Sequence, residues 1–290
     1  MKPNRKSLVE LFLTFPSFAW LFLFFLIPTL MIFALAFKPN DFYGGVGEGW
    51  TLATFRSLNT TSFFTIMWRT IWLSALTTFI CCALALPMGY YLARASSRIR
   101  HFLLLLTILP FWSSFIVRIF AWKSLLHPEG LLKHLLVDLN LVSESTVLLY
   151  NTGAVLLVMV YSFLPFAILP IYAAASKFNF QLFEAALDLG LHRFKAFFRI
   201  FIPGIQAGLI TAILMVFIPS LGSYVIPDVV GGPNSEMIGN KIVQKTFVDR
   251  NLPQASALSA LLTLAVLIPM AIITWLQRRL QKKAFIRRGK

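Results

Sequence analysis

Apolar residues in this chain fall in long unbroken runs. They do not show the alternation of a half-buried strand or the one-faced stripe of a soluble helix. Between Glu10 and Lys38 stand 27 residues without a charge, and between Arg69 and Arg94 another 24. A bilayer crossing takes roughly 20 apolar residues, so both runs are long enough to span as helices. Four more follow, and together they predict six transmembrane helices at residues 11–37, 70–93, 102–122, 147–175, 207–226 and 257–276. With little chain left over for a water-soluble domain, the expected fold is an all-α integral membrane protein, one transmembrane domain over residues 1–290. The first run does not read as a cleaved signal. It exceeds the roughly 7–15 residues of a signal's apolar region, and no small-residue cleavage site follows before Lys38.

Composition supports this: only 13% of residues are charged and the mean hydropathy is +0.77, where a soluble domain is roughly a quarter charged. The net charge of +15 would suggest nucleic acid in a soluble protein, but its placement explains it. The N-terminus, the connection after the second run, the connection 177–206 and the tail from Arg278 hold 17 Lys and Arg against 3 acids. The other three connections hold 8 basic and 8 acidic residues, and Arg118 stands alone inside the third run. Because Lys and Arg are retained on the cytoplasmic side, both termini and the 177–206 segment are expected there. Anionic membrane lipid, not nucleic acid, is the partner this charge implies.

Several chemistries are excluded. Cys81 and Cys82 are adjacent on an apolar run, where neighbouring helical side chains diverge, so neither a disulfide framework nor a zinc site is expected. Gly44-Gly45-Val46-Gly47-Glu48-Gly49 and Gly231-Gly232-Pro233-Asn234 read as turns, and no Gly-x4-Gly-Lys-Ser/Thr phosphate loop occurs. His101, His127, His134 and His192 lie in connections or at run ends, and none of the 11 acids sits mid-run. A membrane hydrolase lacks its nucleophile and base, and a proton-coupled transporter its buried carboxylate. No catalytic set, metal site or bound cofactor is expected, which leaves passive passage or energy supplied by a partner.

The segment 177–206 is too apolar for a solvated loop. Asn179 can cap a first helix, Gly190 permits a sharp turn, and a second amphipathic stretch runs through Phe194, Phe197 and Phe198 to Pro203. Periodicity alone favours an amphipathic helix lying among lipid headgroups, with its basic residues facing phosphates. The run Glu184-Ala185-Ala186, three residues, Gly190, nine residues, then Ile200-Phe201-Ile202-Pro203 resembles the Glu-Ala-Ala loop of type I ABC-importer permeases, with Ile202 in place of the usual Leu. The resemblance implies that Glu184, Ala185, Ala186, Gly190, Ile200 and Pro203 form a loop that couples the chain to a cytoplasmic ATPase. It also implies partners: two copies of that ATPase, a second permease subunit of the same family and an external or periplasmic solute-binding protein. The location it implies is the bacterial inner membrane.

Further runs resemble the spermidine/putrescine branch of these permeases: Leu109-Pro110-Phe111-Trp112, Val117 to Trp122, Leu164-Pro165-Phe166, and Tyr224-Val225-Ile226-Pro227-Asp228 through to Met237-Ile238-Gly239-Asn240. A polyamine cargo is therefore expected, with an opine, another organic cation or an organophosphonate as alternatives on the same machinery and a secondary transporter as a more distant one. Ser223 stands where many members of the branch carry Asp or Glu. Ser223, Tyr224 and Asp228 are the expected substrate path, a polar and aromatic mouth for a cation. Arg118 is expected to be structural, since a guanidinium on the path would repel such a cargo. Pro165, Pro170, Pro219 and Pro227 are expected to kink or unwind their spans.

Overall fold

The structure is a computed structural model. It describes residues 5–41, 44–58 and 60–288, with the backbone alone at 5–12, 269 and 272–288. The terminal charges Lys2 and Arg278 through Lys290 therefore fall outside the described side chains. Among the described residues the chain is mainly helical, with non-helical connections and one isolated antiparallel bridge, Asn40 to Val46.

Contacts divide the chain into two units. The first combines residues 1–63 with 241–290. Here Arg5–Leu21 continues through a π-turn at Phe22–Leu26 into Ile27–Leu35, and the last helix, Leu252–Arg288, packs against Ile27–Leu35. Local polar contacts hold the connection after Leu35. Thr54 Oγ1 donates to the Lys38 carbonyl at 2.9 Å, and the Lys38 ammonium lies 4.5 Å from the Trp50 ring centre. Within Leu13–Leu35 no part of the most apolar stretch is buried, as expected of a surface made for lipid or another subunit rather than for water.

The second unit covers residues 64–240, and its core is built around the helix Thr152–Ala175. Asn151 caps this helix by accepting from the Ala154 N–H at 2.9 Å. Val155, Val158, Met159, Ala167 and Ile171 are buried along it. Two glycines bring neighbouring helices close. A Cβ on Gly89, in Thr61–Arg94, would stand 2.6 Å from Ile171 Cγ2, and one on Gly208, in Gln206–Leu221, would stand 2.3 Å from Ala174 Cβ. Pro165 and Pro170 lie inside Thr152–Ala175, and the helix runs on through both, so neither unwinds it. Neighbouring helices pack against it near Pro170, at Gly89 and at Gly208.

The third apolar run departs from a straight span. Ser97–Ile108 passes into a 3-10 turn at Leu109–Trp112, and the chain then bends by 94° into the helices that begin at Phe115. Pro110 removes one donor, and Ser113 is extended and donates its hydroxyl back to the Pro110 carbonyl at 2.9 Å. In the fifth run, Gln206–Leu221 is followed by a separate short helix, Val225–Val230. Among the described residues three helices are long and apolar enough to cross a membrane, or up to five if each bent pair counts as one span. The sixth expected run carries a shorter apolar stretch, Leu252–Ile268, within its long helix.

Candidate functional site

The segment after Ala175 forms two helical pieces joined at a glycine. Asn179 caps the first, Phe180–Asp188, by accepting from the Gln181 N–H at 3.0 Å. Gly190 follows with a φ of +83°, a left-handed conformation that glycine adopts without strain. His192 starts the second piece by accepting from the Phe194 N–H at 3.3 Å. Arg193–Ala196 then runs through a π-turn at Phe197–Phe201 to Ile202–Gly204, where the chain bends by 78° into Gln206–Leu221. The helix pair and glycine turn read from sequence are both present.

Its inner face is aromatic. Phe183 and Phe201 are buried, and the Tyr90 ring lies 5.6 Å from Phe183, 5.7 Å from Phe197 and 5.1 Å from Phe201, centre to centre. Ring contacts of this kind favour one arrangement of the loop over others. Its outer face is also apolar but uncovered: Leu189 is 89% exposed and Phe194 68%, with Leu182 and Phe198 exposed beside them. Glu184 and Ala185 are exposed, Ala186 and Ile200 half-buried, and Pro203 exposed. Arg94, at the end of Thr61–Arg94, pairs with Glu184 at 3.2 Å. In the sequence Arg94 is a topological charge only, and no local signal relates it to a residue 90 positions away.

Elsewhere in the second unit, Ser223 is buried, Tyr224 is 44% exposed and Asp228 is exposed. The Tyr224 carbonyl accepts from the Asp228 N–H and from Asn240 Nδ2, each at 3.0 Å. Asn240 Oδ1 in turn accepts from the Met237 N–H at 3.2 Å, and Thr70 Oγ1 from the Ile238 N–H at 2.9 Å. The two runs Tyr224–Asp228 and Met237–Asn240 are thus brought together. A Cβ on Gly239 would stand 2.8 Å from the Ser223 carbonyl oxygen, so only glycine fits that approach. Arg118 bonds elsewhere. It is 9% exposed, donates from Nη2 to the Ser113 carbonyl at 3.1 Å and lies 5.5 Å from the Phe111 ring centre. It supports the bend at Ser113. Among the described residues no group of three or more His, Cys, Asp or Glu side chains is placed to hold a metal.

The chain thus combines long apolar helices with an ordered, apolar-tipped loop that joins two of them. Over residues 85–286 the sequence matches the family described as binding-protein-dependent transport system inner membrane component, and the chain belongs to that family. It is 32% identical to the spermidine/putrescine transport system permease protein PotB of Haemophilus influenzae, over 91% of each chain. To PotB of Escherichia coli K12 it is 31% identical, over 91% of this chain and 96% of that one. The inner membrane ABC transporter permease protein YdcU of Escherichia coli K12 is 29% identical over 81% of this chain and 78% of its own. Among solved structures, a bacterial ABC transporter involved in the import of the acidic polysaccharide alginate superposes with a TM-score of 0.73 at 17% identity, covering 95% of this chain and 96% of that one. That likeness concerns the fold. The chain is a multi-pass permease of the cytoplasmic membrane, a transport component rather than an enzyme.

Proposed function

We propose that this chain is one of two permease subunits in an ATP-driven importer of polyamines, coupled through the 177–206 loop to two copies of a cytoplasmic ATPase and supplied by an external binding protein. The cargo reading is carried by the 32% identity to a spermidine/putrescine permease across nine-tenths of both chains. The loop reading is supported by an apolar tip, Leu189 and Phe194, that the other described residues leave uncovered. Burying such a tip in a groove of a partner releases roughly 25 cal/mol per Å² before the cost of association. Tyr224 and Asp228, with the buried Ser223 beside them, serve as the outer end of the path, where a carboxylate and an aromatic face attract a cation without trapping it mid-membrane. The ATPase alone hydrolyses ATP, and this chain binds no cofactor.

The test is uptake by the full complex in proteoliposomes, with labelled spermidine and putrescine. ATP-dependent uptake of either is expected, and Gly190→Asp is expected to abolish it while the subunits still copurify. Transport of neutral or anionic solutes only would overturn the cargo, and normal uptake by Gly190→Asp would overturn the loop.

A further inference from the structure

Arg94 is the last residue of Thr61–Arg94, and its guanidinium makes several contacts at once. Nη2 pairs with Glu184 Oε1 at 3.2 Å, and Nη1 donates to the Tyr90 hydroxyl at 3.2 Å. The same group lies 5.3 Å from the Phe180 ring centre and 5.8 Å from that of Tyr90. Tyr90, one turn earlier on the same helix, touches the loop through Phe180, Phe183, Phe197 and Phe201. The end of the second span therefore grips the first loop helix in two ways, by an apolar cluster and by a directional, charged one.

We propose that Arg94 is a positioning residue for coupling: it fastens Glu184 and Phe180 to the end of the second span, so that movement of this span is delivered to the loop. The proposal rests on the coupling reading of the loop. Its physical basis is the difference between the two grips. The aromatic contacts set where the loop rests against the span, and the ion pair with a stacked guanidinium adds a second, charge-assisted attachment at Glu184 and Phe180. Arginine suits this and lysine does not, because a planar fork can pair and stack together. With side chains 42% and 56% exposed, the pair contributes little to stability, so its loss should appear in coupling rather than in assembly.

The competing account makes Arg94 a topological charge only, and then Lys would replace it without effect. The experiment uses the assembled complex in nanodiscs and reads the ratio of substrate-stimulated to basal ATP hydrolysis. Arg94→Gln is expected to lower that ratio about two- to fivefold, the range of an exposed charged contact. Arg94→Lys should lower it less, but measurably. Adding Arg94→Gln to Glu184→Gln should cause little further loss, because the two side chains act through one contact. A wild-type ratio in both Arg94 variants, or losses that multiply in the double variant, would overturn the proposal. Gly190→Asp separates the two readings. If it too shows normal stimulation, the loop does not couple at all; if it alone loses stimulation, the loop couples without Arg94.

Discussion

Asp228 and Tyr224 stand exposed beside a buried Ser223, so Asp228 and Tyr224 are the two placed to meet a cation directly. If they guide it, Asp228→Asn should reduce uptake at limiting substrate by about two- to fivefold, in keeping with one exposed charge contact, and Tyr224→Ala should reduce it by a similar factor. Uptake assays at matched protein levels check this, and unchanged rates in both variants would remove these residues from the path. Gly190 shows a different dependence. A Cβ there would meet nothing within 4 Å in this chain, so within the chain its requirement comes from a φ of +83°.

Among the helices, the close approach of Thr152–Ala175 and Gln206–Leu221 depends on Gly208. A Cβ at that position would stand 2.7 Å from the Pro170 carbonyl oxygen as well as 2.3 Å from Ala174 Cβ, and neither atom belongs to a flexible side chain. Gly208→Val should therefore force the helices apart and cost about 1–3 kcal/mol. A lower Tm in detergent is the expected result, and an unchanged Tm would mean that the pair can separate freely. The loop helices follow more local rules. The cap at Asn179 and the turn at Gly190 depend on residues within a few positions, and both are legible in the sequence. The bend after Trp112 is not, because Pro110 is compatible with a kinked span as well as with a broken one.

Across the molecule, the charge pattern predicts an orientation that labelling can test. With His192→Cys, the new thiol should react with an impermeant reagent only when the cytoplasmic face is open, because the connections on that side carry 17 basic residues and 3 acids. Labelling from outside intact cells would invert the expected topology. The two buried native thiols, Cys81 and Cys82, give such an assay a low background. Family membership rests on sequence across residues 85–286, while the alginate transporter contributes likeness of fold alone.

Features that depend on near neighbours could be read from the residues alone: the helical, apolar character of the chain, the cap at Asn179, the turn at Gly190 and the Glu-Ala-Ala spacing. Which distant residues meet was settled by the packed fold. Arg94 reaches Glu184, Tyr90 enters the ring cluster of the loop, and Asn240 closes on the Tyr224 carbonyl. The reason is geometric. Such contacts depend on the rotation and crossing of whole helices, which packing at positions such as Gly89 and Gly208 sets, and no periodicity within one segment records the face that its partner will present.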